Sequence, residues 1–245
     1  MTMEITSKST IGEIVANDFR TAAVFSKYSI DFCCKGHRTI AEVCKKRDIT
    51  ENILMQQLQI AKESPANQSF DYKSWPVDLL TDYIEKTHHR YVEEKTPVLL
   101  QFLNKVCRVH GEIHPELHEI NTIFNASASD LAAHMKKEET ELFPFIREMK
   151  KAKDKGLSFQ TPVFGSIENQ VLLMKEDHLG EGQRFKKIAA LTNDYTPPAG
   201  ACNTYKVTFS MLQEFESNLY KHIHMENNIL FPKAIKLEKN FKRVF

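Results

Sequence analysis

Two stretches of this chain share the pattern His-x-x-x-Glu-x-x-x-Leu-Phe-Pro, one beginning at His134 and the other at His222. The second copy follows the first by 88 residues (222 − 134), so Glu138 in the first copy corresponds to Glu226 in the second. On an α-helix, residues four apart lie on one face, with Cβ atoms about 5–6 Å apart. Because imidazole and carboxylate both bind metals, each copy predicts a His–Glu pair directed at a metal site.

Each copy is preceded by a further histidine, His88 in THHRY and His178 in KEDH, 90 residues apart (178 − 88). Each half of the repeat thus offers one His on one helix and His-x-x-x-Glu on the next. Metal sites of four-helix bundles are built from such inward-facing side chains. The predicted metal ligands are His88, His134, Glu138, His178, His222 and Glu226. In this register His89, the neighbour of His88, points off the core face, and His224 stands in the same relation to His222.

The chemistry of this ligand set favours iron. The residues that flank both motifs are apolar, and a buried carboxylate costs several kcal/mol unless it is paired or metal-bound. Four imidazoles and two carboxylates suit a pair of irons, joined by Glu138, Glu226 and a solvent-derived oxo or hydroxo group.

The elements that must position these ligands are four long amphipathic stretches, and very little of the chain is typical of strand. They run from Pro76 to about Val106, Pro115 to about Lys151, about Val163 to Leu191, and about Thr204 to Leu237. Short connections favour an up-down-up-down bundle within an all-α fold. Pro144 and Pro232 fall inside two of these helices, so each predicts a kink or a lost hydrogen bond just past the ligands.

The first 66 residues predict a small helical domain, separate from residues 67–245. Thr10, Thr39 and Thr50 each precede apolar residues at helical spacing and are expected helix N-caps. The stretch ESPANQSFDYKSWP then interrupts the helical pattern and contains the expected boundary.

A vicinal pair, Cys33 and Cys34, lies in a turn of that N-terminal domain. Adjacent cysteines are poorly placed for a mutual disulfide. The basic residues Lys35, His37 and Arg38 follow closely and could lower a thiol pKa, which predicts a reactive or metal-handling pair. Handing iron to a target, supplying reducing equivalents and holding subunits together all remain open as roles.

Composition excludes several other classes of protein. The 245 residues carry a net charge of +1, which leaves no electrostatic footprint for nucleic acid. No uninterrupted apolar run could span a bilayer, and no secretory leader is visible, so a cytoplasmic protein is expected. Eight glycines, none in a G-x-G-x-x-G or P-loop arrangement, do not support a nucleotide-phosphate site.

Taken together, SIDFCCKG, THHRY, HMKKEETELFP, KEDH and HIHMENNILFP closely resemble the RIC (repair of iron centres) family, from about Ile11 to Lys236. The resemblance implies a hemerythrin-like four-helix bundle whose two irons are held by the six predicted ligands, with both Glu as bridges. It also implies repair of iron–sulfur clusters damaged by nitrosative or oxidative stress, by supplying iron, with damaged iron–sulfur proteins as partners.

Two other functions remain alternatives: a nitric oxide reductase acting at the di-iron centre, and a binding protein that senses O₂ or NO. The Cys-bearing N-terminal domain favours repair, because reversible ligand binding needs only the bundle. The sequence leaves open whether the chain is an enzyme, and whether it forms a homodimer.

Overall fold

A computed structural model describes residues 4–63, 70–159 and 165–241 of the chain. Within these ranges the secondary structure is helical and contains no strand, which confirms the all-α prediction. The chain divides into two compact units, one formed by Met1–Leu80 with Ile223–Phe245 and the other by Thr81–His222. The domain boundary expected between residues 66 and 67 lies outside the described residues, as does the expected helix start at Val163.

The N-terminal unit begins with short helical elements, and three of them start directly after the predicted caps Thr10, Thr39 and Thr50. The elements are Ile11–Asn17, the 3₁₀ turn Phe19–Thr21, Ala22–Lys27, Ile40–Arg47 and Glu51–Glu63. Thr10 and Thr39 both form capping boxes, in which the threonine hydroxyl accepts from the backbone N–H three residues on and a glutamate reaches back. These contacts satisfy helix-end N–H groups that would otherwise lack an intrahelical partner.

Two glycines let the loop after Ala22–Lys27 approach the first helix. The Gly12 N–H donates to the Gly36 carbonyl at 2.7 Å. A Cβ on Gly36 would lie 2.7 Å from Asn228 Oδ1 and 2.7 Å from the Phe32 carbonyl oxygen, and one on Gly12 would lie 2.5 Å from the same Asn228 atom. Only glycine fits this contact, because real Cβ atoms are not found that close to other heavy atoms.

Four long helical segments follow, and three of them contain a wide π-helical turn. The first is Val77–Tyr83, π Ile84–His89 and Arg90–His110; the second is Glu116–Lys137, π Glu138–Leu142 and Phe143–Asp154; the third is Ile167–Leu191; the fourth is Asn203–Met225, π Glu226–Leu230 and Phe231–Phe241. The first and second segments pack against each other, as do the second and third. This is the predicted four-helix bundle.

The two motif prolines coincide with two of the π turns. Pro144 and Pro232 come just after π segments whose first residues are Glu138 and Glu226. Proline has no N–H to donate four residues back, so the α-helical ladder must be interrupted there. A π turn absorbs the interruption without ending the helix, and such turns are frequent at functional sites. The predicted irregularity therefore lies at the ligands themselves.

The Thr81–His222 unit contains an aromatic core. Phe124, Phe185 and Phe215 are fully buried, with ring centroids 5.3 to 6.4 Å apart. Such aromatic clusters bury large apolar areas and constrain helix spacing. Among the described residues, no helix is both long and apolar enough to cross a membrane.

His224 does not point away from the core, as a uniform α-helical register predicted. It is buried in the N-terminal unit, with its ring centroid 6.0 Å from that of Phe19 and 5.7 Å from that of Phe32. Burial lowers its pKa to about 3, so this imidazole is neutral at physiological pH. Its Nδ1 lies 3.1 Å from the side-chain nitrogen of Asn228.

Candidate metal centre

The Thr81–His222 unit contains two pairs of buried histidines whose Nε2 atoms converge. His89 Nε2 lies 3.2 Å from His222 Nε2, and His134 Nε2 lies 3.0 Å from His178 Nε2. A metal with bonds to nitrogen of about 2.1 Å places two neighbouring ligands of an octahedron about 3.0 Å apart. Both pairs therefore have the spacing of two imidazoles on one cation.

Glu138 lies between the two pairs and is fully buried. One of its oxygens is 3.4 Å from His134 Nε2, and the other is 3.4 Å from His89 Nε2. The ligand atoms of His89, Glu138 and His222 lie within 4.8 Å of one another, and so do those of His134, Glu138 and His178. A carboxylate shared in this way by two groups is placed to bridge two cations.

Carboxylates outside the centre orient two of these imidazoles. Asp177 Oδ2 is 3.1 Å from His134 Nδ1, and Glu139 Oε1 is 2.9 Å from His89 Nδ1. The hydrogen bond with His134 lowers the pKa of Asp177, which keeps that carboxylate an acceptor. With the Nδ1 proton donated outward, the Nε2 lone pair faces the centre, as is usual for metal-binding histidines.

His88 does not join either group, in contrast to the prediction from sequence. It is buried, but its Nδ1 lies 3.0 Å from Asn218 Oδ1, and its ring stacks parallel to that of His222 with centroids 5.6 Å apart. The neighbouring His89 occupies the inward position instead. The cause is the π turn Ile84–His89, because successive side chains of a π turn are rotated by a smaller angle than in an α-helix and two neighbours can both be buried.

Glu226 is fully buried and belongs to the unit formed with the N-terminal residues. It follows His222 by four residues along the fourth helical segment and is the first residue of its π turn. Glu138 has the same place in the second segment, four residues after His134. The two halves of the sequence repeat are therefore matched in local structure.

Cys33 and Cys34 lie in the loop between Ala22–Lys27 and Ile40–Arg47, and neither forms a disulfide. The prediction that nearby basic residues lower a thiol pKa is wrong for Cys33. Its pKa is raised well above the usual range, first by the hydrogen bond with Cys34 and then by burial. Cys33 is therefore protonated at physiological pH when no cation competes for the thiolate.

Comparison with known families agrees with this arrangement. The model of the hemerythrin HHE cation binding domain matches residues 81–234, and the ScdA_N model, described as a domain of unknown function (DUF542), matches residues 7–62. A helical bundle with buried His and Glu in this repeat defines the hemerythrin class of cation-binding domain.

Curated relatives match nearly the whole chain. The iron-sulfur cluster repair protein YtfE of Yersinia pestis (strain Pestoides F) is 32% identical over 219 residues, which is 89% of this chain and 93% of the relative. The protein of the same name from Yersinia pseudotuberculosis serotype IB (strain PB1/+) is 33% identical over 215 residues, covering 88% and 91%. The chain belongs to this family of hemerythrin-domain proteins, the RIC family.

Proposed function

We propose that the bundle holds two iron ions, one at His89 and His222 and the other at His134 and His178. Glu138 bridges them, and Glu226 is the second bridging carboxylate. The observation that carries the proposal is the position of Glu138, whose two oxygens each lie 3.4 Å from an Nε2 atom of a different histidine pair. The helical position of Glu226, one turn after His222, supports its role.

The donor set itself fits such a cation pair. A fully buried carboxylate among four imidazoles needs positive charge to offset the cost of desolvation. Two bound irons would supply that charge. The chain's own residues orient the imidazoles through Asp177 and Glu139, and the apolar core excludes bulk water from the centre.

We propose further that the chain repairs iron–sulfur clusters damaged by nitrosative or oxidative stress, with the bundle iron as the cargo it supplies. Relatives named for iron-sulfur cluster repair that match about nine-tenths of the chain support this function. Damaged iron–sulfur proteins are then its partners, and Cys33 and Cys34 the thiols that act in the transfer. A cytoplasmic location and a homodimer stay predictions.

The choice of His89 over His88 has a direct test. We expect His89→Ala to lower iron affinity by more than about 100-fold, because it removes an inward-facing nitrogen, whereas loss of an outer partner costs about 10- to 100-fold. His88→Ala removes a ring stacked on His222, and its loss of iron affinity should stay within about 10- to 100-fold. Iron content after dialysis against a graded chelator measures both. Loss of iron in the His88 variant alone would restore the sequence-based assignment.

The repair function is tested by restoring an iron–sulfur hydratase that nitric oxide has inactivated. The iron-loaded chain should restore its activity, and the double variant Cys33→Ser with Cys34→Ser should restore much less while keeping its iron. Cys44→Ser is the matched control, since Cys44 is a buried thiol of the same unit outside the vicinal pair.

Nitrous oxide formation by the same samples separates repair from reduction of nitric oxide. If the iron-loaded chain fails to restore the hydratase, the repair proposal is rejected. If wild type and the double variant both turn nitric oxide over catalytically, reduction at the di-iron centre becomes the better account.

A further inference from the structure

A second cluster of metal-binding side chains lies in the N-terminal unit, in the loop that carries the vicinal cysteines. Asp31, Cys33 and Cys34 each offer one ligand atom, and these atoms lie within 4.8 Å of one another. The two sulfur atoms are 3.6 Å apart, and Cys33 Sγ is 3.4 Å from Asp31 Oδ1. Neither the hemerythrin motif nor its ligand set includes these residues.

These distances agree with ligands on one tetrahedral cation. Metal–sulfur bonds of about 2.3 Å place two sulfur ligands about 3.8 Å apart at the tetrahedral angle, and a sulfur and a carboxylate oxygen about 3.6 Å apart. The observed distances are within about 0.2 Å of both values. A disulfide would instead require the two sulfur atoms at about 2.0 Å.

The loop is held in this shape by two contacts from outside it and by one within it. The Cys33 carbonyl accepts from the side-chain amides of Asn227 at 3.3 Å and Asn228 at 3.0 Å. Arg38 donates to the Asp31 carbonyl at 3.3 Å and so closes the loop from the other end. Such supporting contacts reduce the cost of ordering ligands when a cation binds.

Access and charge also suit a cation. Cys33 is buried, whereas Cys34 and Asp31 are partly exposed, so an ion can reach the cluster from solvent. A cation that binds the sulfurs displaces the thiol protons to solvent, as is usual when thiols become metal ligands.

We infer that Asp31, Cys33 and Cys34 form a second metal site, separate from the bundle centre, for a single thiophilic divalent cation. Two thiolates select such an ion over Mg²⁺ or Ca²⁺. Three protein ligands leave a coordination position for an exchanging ligand, which is typical of sites that pass on or use their metal rather than of closed structural sites. The site does not depend on the identity of the metal in the bundle.

Titration of the reduced, iron-loaded full chain with Co²⁺ tests this site. Thiolate ligation gives sulfur-to-cobalt charge-transfer absorption, which histidine and carboxylate ligands in the bundle cannot produce. We expect the band to saturate at about one Co²⁺ per chain, with the iron content unchanged. Absence of the band would overturn the inference. So would a band that appears only when Co²⁺ displaces the bound iron.

Asp31→Asn is the most specific variant. In the wild-type chain the Cys34 backbone N–H donates to Asp31 Oδ1 at 3.0 Å. An asparagine oxygen can still accept this hydrogen bond, but the anionic metal ligand is lost. We expect Co²⁺ affinity to fall about tenfold or more, a change comparable to losing a supporting contact at a metal site or larger. Cys34→Ser should abolish the band, and Cys44→Ser should leave it intact. Unchanged affinity in Asp31→Asn would exclude the three-ligand site.

One further variant separates this inference from the proposed function. His134→Ala should lose bundle iron and still show the charge-transfer band, because His134 is not a ligand of the second site. If the band disappears together with the bundle iron, the second site is not independent and the inference fails, while the di-iron proposal stands.

Discussion

Replacement of Glu138 by Leu should lower iron affinity by more than about 100-fold and abolish repair. The variant loses the carboxylate whose two oxygens each lie 3.4 Å from an Nε2 atom of a different histidine pair. Loss of a ligand should exceed the about 10- to 100-fold cost of losing an outer hydrogen-bond partner. Bound iron after chelator dialysis and hydratase recovery measure the two effects.

Glu138→Leu should not lower the thermal stability of the metal-free protein. Without metal, a fully buried carboxylate is a net cost, and replacing it with an apolar residue of similar bulk is often neutral or stabilising. Metal-free Glu138→Leu should therefore melt at or above metal-free wild type. Glu141→Leu, an exposed position of the same π turn, is the matched control and should retain iron. Iron loss in the Glu141 variant with retention in the Glu138 variant would refute the assignment of the bridge.

Removal of iron from the wild-type chain should destabilise it strongly. A ligand that binds only the folded state stabilises it by about 4 kcal/mol when present at about 1,000 times its dissociation constant. For a chain of this size that corresponds to about 10 °C in Tm. The effect is expected because the metal draws its ligands, the four inward-facing histidines and Glu138, from all four helical segments.

Calorimetry of iron-loaded and iron-free samples at neutral pH gives this difference directly. The Glu138→Leu variant serves as the control, since its Tm should hardly respond to added iron. Equal Tm values for loaded and iron-free wild type would mean that the metal contributes nothing to the folded state.

Much of the fold follows from local sequence rules. The capping threonines Thr10 and Thr39 mark helix starts because their hydroxyls and the glutamates three residues on complete capping boxes. The repeated motif likewise placed His134, Glu138, His178 and His222 in one group. The spacing of four held for His134 and Glu138 because regular α-helix separates them up to the start of the π turn.

The error at His88 shows where such rules stop. Assigning the inward side of THHRY requires the exact rotation of the helix, and the ordinary α-helical value of about 3.6 residues per turn does not apply there. The π turn Ile84–His89 changes that rotation and exchanges His88 for His89. In the second and fourth segments, a proline close after the ligands indicated an irregular helix. In the first segment the nearest following proline, Pro97, lies eight residues beyond His89, so the sequence did not indicate the irregularity there.

Contacts distant in sequence were also beyond prediction. The hydrogen bonds from Asn227 and Asn228 to the Cys33 carbonyl join residues 194 and 195 positions apart (227 − 33 and 228 − 33), and no spacing rule relates them. The raised pKa of Cys33 likewise depends on burial and on Cys34, rather than on the basic residues that follow in sequence.

Metal analysis combined with Mössbauer spectroscopy of the anaerobically purified chain can establish whether the bundle holds a bridged iron pair. We expect about two irons per chain in an exchange-coupled pair, because Glu138 links the two histidine pairs. One iron per chain, or two irons without magnetic coupling, would contradict a carboxylate-bridged di-iron centre.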